Sequence, residues 1–177
     1  MPNPPKKAPA KKAPAKAAAK KAPAASPQLA AGDRAPAFAL TDQHGDTVRL
    51  SSFKGRKVLV FFYPKADTPG CTTQACGLRD VSGAIGTTAV LGISPDAPEK
   101  QARWDAKHGL GYPLLSDPDH AVADAFGVWG EKKLYGRAYM GIVRSAFLID
   151  EKGRIEHAWY KVSPKDTPLN LLAALKG

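Results

Sequence analysis

The chain has only two cysteines among its 177 residues, Cys71 and Cys76. Two cysteines do not make the disulfide framework of a small secreted protein, and in a reducing compartment a close pair is more often catalytic or metal-binding. No stretch approaches the roughly 20 apolar residues of a membrane span, and the N-terminus lacks the apolar centre of a secretory signal. We therefore expect a cytoplasmic protein that has no membrane contact.

Several common functional motifs are missing as well. The chain has no glycine-rich dinucleotide motif, phosphate-binding loop or metalloprotease pattern, so nucleotide chemistry has no local support. Its four histidines are His44, His108, His120 and His157. Because their positions lack the spacing of metal ligands, a site built from them and the cysteines is disfavoured. We expect no bound cofactor or metal.

Positive charge is concentrated at the N-terminus. The formal charge is +10, but residues 1–28 contain seven lysines and no acid, which leaves +3 for the rest. The lysines are Lys6, Lys7, Lys11, Lys12, Lys16, Lys20 and Lys21. The segment is almost entirely Ala, Lys and Pro, so it cannot bury a core and is expected to be disordered. Two uses stay open, a solubilising tail or non-specific contact with a nucleic-acid phosphate backbone.

Residues 29–177 alternate strand and helix signals and are numerous enough for one domain. Predicted strands cover 38–40, 48–50, 58–63, 89–94, 112–115, 146–150 and 155–160. Predicted helices run from 68 to about 85, from 96 to 108, from 117 onward and from 167 onward. This order predicts a thioredoxin-like α/β fold, with a mixed central sheet, helices on both faces and an N-terminal β-hairpin.

Helix starts and inner faces follow from local patterns. Asp96 and Glu99 have capping-box spacing at the start of the second helix. In the helix that begins at Asp117 and Pro118, the inward residues are predicted to be Val122, Ala125 and Phe126. In the last helix, which Thr167 and Pro168 open, they are predicted to be Leu169, Leu172 and Ala173.

Cys71 lies where an apolar strand gives way to a helix. With Thr68 as the N-cap, Pro69 takes the first helical position and Cys71 the third; with Asp67 as the N-cap, each position shifts by one. Either way Cys71 is in the first turn, where unpaired backbone N–H groups and the positive end of the helix favour a thiolate over a thiol. The alternative is a small buried apolar residue without chemistry.

Helical periodicity separates the two cysteines. The apolar stripe of the helix comprises Leu78, Val81 and Ile85. At about 100° per residue, Cys71 lies about 20° from the centre of that stripe and Cys76 about 160° away, toward solvent. Their Cα atoms would be about 8.5 Å apart, beyond the roughly 7 Å that a disulfide tolerates. If the two cysteines bond, the first turns of the helix must unwind.

The cysteine segment resembles a known family. Residues Pro64 to Cys71, with Pro, Thr and Cys at the first, fifth and eighth positions, resemble the active-site motif of peroxiredoxins. The extension from Gly70 to Cys76 resembles the bacterioferritin comigratory protein, or peroxiredoxin Q, subgroup. Further similar segments are 91–94, 114–117, 126–132 and 141–150, so the resemblance covers about 29–177.

The resemblance implies a thiol-dependent peroxidase that reduces hydrogen peroxide and organic hydroperoxides. Cys71 would be the peroxidatic nucleophile that becomes a sulfenic acid, and Cys76 the resolving cysteine of an intramolecular disulfide. Thr68 would hold the peroxide and Pro64 would shield the sulfenate. Arg144 matches the family's active-site arginine, which would stabilise the thiolate and the leaving oxygen. Without the resemblance, Arg144 would be one strand-edge charge among others.

The implied partners are a peroxide and a dithiol reductant such as thioredoxin, and we expect a monomer. A disulfide oxidoreductase of thioredoxin type is a weaker alternative, because such enzymes use Cys-x-x-Cys and four residues intervene here. A third hypothesis is a nucleic-acid-associated protein that acts through its basic tail. The nearly balanced charge of the body disfavours that as the main activity.

Overall fold

The computed structural model describes residues 28–176, which form a seven-stranded sheet, a separate two-stranded sheet and four α-helices. The tail expected to be disordered lies outside the described residues, except for Gln28. The strands are β1 (Ala39–Asp42), β2 (Thr47–Arg49), β3 (Val58–Phe62), β4 (Ala89–Ser94), β5 (Leu114–Ser116), β6 (Trp129–Leu134), β7 (Arg137–Ile142), β8 (Ser145–Ile149) and β9 (Ile155–Trp159). The helices are α1 (Pro69–Asp80), α2 (Pro98–His108), α3 (Ala121–Ala125) and α4 (Asp166–Lys176).

The large sheet has the strand order β2-β1-β5-β4-β3-β8-β9. Strands β3, β4 and β5 run parallel, whereas β1, β8 and β9 pair with their neighbours in the antiparallel sense. The sheet is therefore mixed, and its N-terminal hairpin β1–β2 is present, as predicted. Within residues 28–176, no helix has the length and apolar character needed to cross a membrane.

Strand β3 divides the hydrophobic core in two. Its side chains alternate between the sheet faces, as the pleat of a strand requires. The even-numbered residues of 58–62 pack with α3 in one cluster, and the odd-numbered ones pack with α1, α2 and α4 in the other. All of them are at most 1% exposed. Helices thus cover both faces, which explains why this strand reads as an unbroken apolar run.

Helix α1 and strand β5 do not have the predicted boundaries. Helix α1 ends at Asp80, not near Ile85, and a short 3-10 helix (Ser82–Ala84) follows it. Serine and glycine are weak helix formers, so the stretch after Asp80 does not extend the α-helix. Ile85 is nevertheless buried. The strand predicted over 112–115 is displaced toward the C-terminus, since β5 runs from Leu114 to Ser116.

Asp96 does not cap α2, contrary to the prediction. The N-cap is Ala97, which has no side-chain capping bond. The Asp96 carboxylate instead accepts hydrogen bonds from the Ala66 backbone N–H, in the loop between β3 and α1, at 2.6 Å and from the Ser94 hydroxyl, at the end of β4, at 2.9 Å. A charge-assisted bond to another segment has replaced a local one.

Helix α3 is shorter than predicted and has a different inner face. It starts at Ala121, so Asp117 lies before it and accepts hydrogen bonds from the first N–H groups of the helix at 3.2 and 2.9 Å. Val122 and Phe126 are buried as predicted, but Ala123 is buried and Ala125 exposed. In a helix of one and a half turns the tertiary contacts outweigh periodicity.

The inner face of α4 also differs. Leu169 is 60% exposed and Ala173 is exposed, whereas Leu171 is fully buried and Leu172 half-buried. Thr167 and Pro168 are buried at the start of the helix. Thr167 is hydrogen-bonded to Gln74 of α1 and Pro168 lies next to Gly77 of α1, so the start of α4 is anchored there and Leu171 packs in the core cluster.

The hairpin β6–β7 was not predicted at all. Its strands are mostly exposed, and β6 carries three charged residues in succession, so only β7, with Ala138, Met140 and Ile142 at alternate positions, has the alternation that marks a strand. Its turn is Tyr135-Gly136, both with positive φ, at 52° and 79°. Tyrosine is an unusual first residue for such a turn, which is usually Asn-Gly or Asp-Gly. The hairpin packs beside the large sheet rather than in it.

Candidate active site

The first turn of α1 presents Cys71 as predicted. Thr68 is the N-cap with an extended backbone, and Pro69 takes the first helical position. Asp67 has a left-handed φ of 63°, and it lies before the helix. The Thr68 hydroxyl donates to the Lys65 carbonyl at 2.8 Å rather than accepting from the helix. Since no described side chain caps this helix start, its N–H groups remain available to an anion beside Cys71, which is 1% exposed.

Antiparallel pairing brings Arg144 to this turn. Phe62, at the end of β3, pairs with Ser145, at the start of β8. The residue before β8 therefore lies at the same sheet edge as the loop that follows β3. There the Arg144 Nη1 atom donates to Cys71 Sγ at 3.4 Å. A guanidinium is permanently charged, so this contact favours an ionised sulfur.

A buried glutamine orients the guanidinium. Gln74 is fully buried, and its Oε1 atom accepts from Arg144 Nη1 at 2.8 Å. Its Nε2 atom donates to the Thr167 hydroxyl at 2.9 Å, and Thr167 in turn donates to the Ser163 carbonyl at 3.0 Å. The hydrogen-bond chain ties the cation to the start of α4, so α4 contributes to the geometry around Cys71.

Gly70 leaves room for the same guanidinium. An added Cβ at Gly70 would lie 3.1 Å from Arg144 Nη2, tighter than an ordinary van der Waals contact. Gly70 does not have a positive φ, so the backbone conformation alone does not require glycine here. Glycine fits here because the Arg144 guanidinium approaches the backbone so closely.

Two contacts fix the loop before α1: a hydrogen bond to Asp96, which follows β4, and packing against the buried Tyr63. As described above, Asp96 holds the Ala66 backbone N–H. Tyr63 is fully buried under the loop and packs against Trp104 at 5.1 Å between ring centroids. Burial raises the pKa of Tyr63 far above its ordinary value, so its hydroxyl stays protonated. Pro64, which follows Tyr63 in the chain, is half-buried.

Cys76 is less exposed than predicted. It is a half-buried free thiol that packs at the edge of the same apolar cluster as Cys71. Tyr112 covers this part of α1, and its hydroxyl donates to the Ala75 carbonyl at 2.8 Å. Helical periodicity gives the direction of a side chain, but it does not show which neighbouring segment lies over it.

The structure thus brings together Cys71 and Arg144, with Thr68 and Pro64 in the adjoining loop, and leaves Cys76 further along the same helix. Sequence reasoning missed Gln74, Thr167 and Asp96. For Gln74 a signal existed, because a residue three positions after Cys71 shares its helix face. No local signal identifies the other two as neighbours of the site.

The histidines lie away from this thiol site. The His120 ring stacks on Trp129 at 3.8 Å between centroids and pairs with Asp124 at 3.0 Å. The His157 ring stacks with Trp159. In the part of the chain that the structure describes, no three His, Cys, Asp or Glu side chains are grouped so that they could hold a metal ion.

A buried thiol beside a permanent cation suits a reaction in which sulfur ionises and attacks an electrophile while negative charge develops on a leaving atom. On this sheet the combination defines a class, the thiol-dependent peroxidases of thioredoxin-like fold.

Comparison with known proteins gives the family: the chain belongs to the AhpC/TSA family, which matches residues 31–158. It is 56% identical to peroxiredoxin Bcp of Escherichia coli over 133 residues, 74% of this chain and 85% of that protein. It is 46% identical to peroxiredoxin Bcp of Bacillus subtilis over 147 residues, 82% of this chain and 94% of that one. A structure of the bacterioferritin comigratory protein of Xanthomonas campestris, studied for alkyl peroxide reduction, matches with a TM-score of 0.74 at 35% identity and covers 78% of this chain and 90% of that chain.

These matches confirm the resemblance to peroxiredoxins, the thioredoxin-like fold and the thiol-dependent peroxidase activity. The reaction requires a peroxide and a reductant.

Proposed function

We propose that Cys71 is the peroxidatic cysteine and that Arg144 stabilises its thiolate during attack on a peroxide. The observation that carries this proposal is the 3.4 Å contact between Arg144 Nη1 and Cys71 Sγ in the buried first turn of α1. The N–H groups of that turn add a second favourable field for an anion.

In the proposed first step, the thiolate of Cys71 attacks one peroxide oxygen, so that an S–O bond forms and the O–O bond breaks. Sulfur is oxidised to a sulfenic acid, and the leaving oxygen takes up a proton and departs as water or an alcohol. The Thr68 hydroxyl and the Cys71 backbone N–H hold the peroxide, Pro64 shields the sulfenate from water, and Arg144 stabilises the charge on the leaving oxygen.

In the proposed second step, the thiolate of Cys76 attacks the sulfur of Cys71. An S–S bond forms, the S–O bond breaks, and the departing hydroxide is protonated to water. Both cysteines are free thiols in one continuous helix here, and residues five apart on a helix are about 8.5 Å apart at Cα, too far for a disulfide. Part of α1 must therefore unwind between the two steps.

We further propose that a thioredoxin-type dithiol returns the Cys71–Cys76 disulfide to two thiols by disulfide exchange, and that the chain works as a cytoplasmic monomer. Organic hydroperoxides are included among the substrates together with hydrogen peroxide. The alkyl peroxide reduction studied in the Xanthomonas campestris relative supports this choice.

The test compares two cysteine variants in the same helix. Peroxide consumption is followed with thioredoxin, its reductase and NADPH, and mass spectrometry is performed after one equivalent of peroxide. The parent protein should lose two hydrogens, which indicates an internal disulfide. Cys71→Ser should consume no peroxide, and Cys76→Ser should gain oxygen once and then stall. Sustained turnover by Cys71→Ser would refute the mechanism.

For residues 1–28 we propose non-specific contact with a phosphate backbone, against the alternative of a tail that only increases solubility. The support is seven lysines without a single acid, a charge pattern that displaces counterions from nucleic acid. Retention on immobilised DNA is compared at low salt for the full chain and for a chain that starts at residue 29. Equal retention of the two would contradict the contact.

A further inference from the structure

The hairpin β6–β7 carries a second cation toward the site. Lys132 lies on β6, and its ammonium donates to the Ile142 carbonyl on β7 at 2.7 Å. To reach that carbonyl, its side chain crosses the strand pair over Gly141, where an added Cβ would lie 3.2 Å from Lys132 Cδ. Gly141 does not have a positive φ, and an added Cβ would also lie 3.3 Å from Tyr139 Cε2, so its lack of a side chain leaves room for both Lys132 and Tyr139.

The end of β7 leads directly to the site. Ile142 precedes Arg144 by two residues, so the ammonium is anchored next to the segment that delivers the guanidinium to Cys71. Burial lowers the pKa of Lys132 and the charge of Arg144 lowers it further, while Cys71 acts in the opposite direction. These directions agree with the geometry, which anchors the Lys132 ammonium two residues from Arg144.

Neither cation is neutralised by a carboxylate. Among residues 28–176, the ion pairs involve Lys57, Arg79, Lys100, Lys107 and His120, and neither Lys132 nor Arg144 forms one. Two half-buried cations near each other repel, and their positive potential is relieved only when an anion lies between or beside them. Such a field suits the anionic sulfur and the anionic oxygen that leaves it.

We propose that Lys132, held across Gly141, supplies a second positive charge that stabilises the Cys71 thiolate and the oxygen leaving the peroxide. Lys132 acts on the sulfur only through its positive charge. It does not attack the peroxide and does not transfer a proton. The proposal rests on the role proposed for Cys71. Arg144 contacts the Cys71 sulfur directly, Tyr63 is protonated and packs in the same core cluster as Cys71, and Cys71 affects the pKa of Lys132 through its charge.

The test uses Cys76→Ser as the background, so that Cys71 is the only thiol. The ultraviolet absorbance of the thiolate is titrated with pH, and the single-turnover rate with hydrogen peroxide is measured over the same range. Lys132→Met should move the ionisation midpoint of the thiol up by about one pH unit and slow the reaction at neutral pH about tenfold. Lys132→Arg, which keeps the charge, should restore most of both.

Lys133→Met is the matched control. Lys133 is exposed on the opposite face of β6, so its replacement removes the same formal charge without touching the site. We expect its midpoint and rate to equal those of the background.

Three results would overturn the proposal: an unchanged midpoint in Lys132→Met, an equal shift in Lys133→Met, or failure of Lys132→Arg to restore what Lys132→Met loses. Failure of the proposed function has a different signature, namely peroxide consumption by Cys71→Ser.

Discussion

The two cysteines of α1 lie in surroundings that differ more than the five positions between them suggest. Cys71 is 1% exposed and lies against a guanidinium, next to helix N–H groups that no described side chain caps. Cys76 is half-buried, and the carbonyl just before it is held by Tyr112. The first turn therefore favours charge on sulfur, whereas the second turn is held in place by its neighbours.

The segment between the cysteines is held from three directions. Trp104 on α2 donates to the Thr72 hydroxyl at 3.1 Å, Gln74 donates to Thr167 on α4, and Tyr112 donates to the Ala75 carbonyl. Under the proposed cycle these bonds must break before Cys76 can reach Cys71. Reaction with peroxide needs the folded helix and disulfide formation needs it unwound, so substitutions near the two turns should affect different steps.

The largest effect should come from Arg144→Met. Without the guanidinium, neither the thiolate nor the leaving oxygen has its nearest positive charge, so the rate of reaction with peroxide should fall about a hundredfold or more. Stopped-flow measurement of the single-turnover rate tests this. Arg144→Lys is the matched control for charge without the planar fork, and it should recover only part of the rate. A parental rate in Arg144→Met would remove Arg144 from the mechanism.

Gln74→Leu should have the next largest effect. Leucine is similar in size but cannot accept from Arg144 or donate to Thr167, so the guanidinium loses its orientation and the rate should drop about tenfold. The unfolding free energy should fall by about 1–3 kcal/mol, because buried polar groups lose their partners. Urea denaturation measures the second quantity. Thr73→Ala, at an exposed position on the same helix, is the control, and equal losses in both variants would contradict the prediction.

The two glycines of α1 provide a direct comparison of the turns. Gly70→Ala should displace the guanidinium by a few tenths of an ångström and slow the peroxide reaction about threefold. In Gly77→Ala the new Cβ would lie 3.0 Å from Pro168 Cγ on α4, so it should change the thermal midpoint and leave the rate unaltered. If the two variants reacted alike with peroxide, the two turns would not have separate roles.

Tyr112→Phe should affect only the second step and leave the reaction with peroxide unchanged. Burial raises the pKa of Tyr112, so its hydroxyl is a donor at neutral pH. Removing that donor costs the folded helix about 1 kcal/mol, which should speed disulfide formation about fivefold without changing the first step. The second fluorescence phase after peroxide addition reports this rate. Tyr135→Phe, at a 95% exposed tyrosine, should change nothing, and an unaltered second phase in Tyr112→Phe would argue against the hold on α1.

Local patterns predicted the buried strands well. The run 58–63 became β3, and the run 89–94 became β4 at the same bounds. Hairpin signals around 151–153 gave β8 and β9. A strand that is buried on both faces needs apolar residues at every position, so it can be recognised from its composition alone. The hairpin β6–β7 was missed because its strands are mostly exposed and β6 is rich in charge. The inner face of α4 was missed because contacts with α1 decide it rather than local periodicity.

The sequence by itself determined where the chemistry lies. The order of Thr68, Pro69, Gly70 and Cys71 specifies a helix start with a thiol in its first turn, since capping and proline preferences act within a few residues. Only the tertiary structure decided what surrounds that thiol. Antiparallel pairing of β3 with β8 delivers Arg144, packing of α4 on α1 supplies Thr167 to Gln74, and pairing of β6 with β7 places Lys132 at the Ile142 carbonyl. The contacts of Arg144 with Cys71 and of Gln74 with Thr167 join residues 73 and 93 positions apart, and pairing and packing over such separations leave no local pattern.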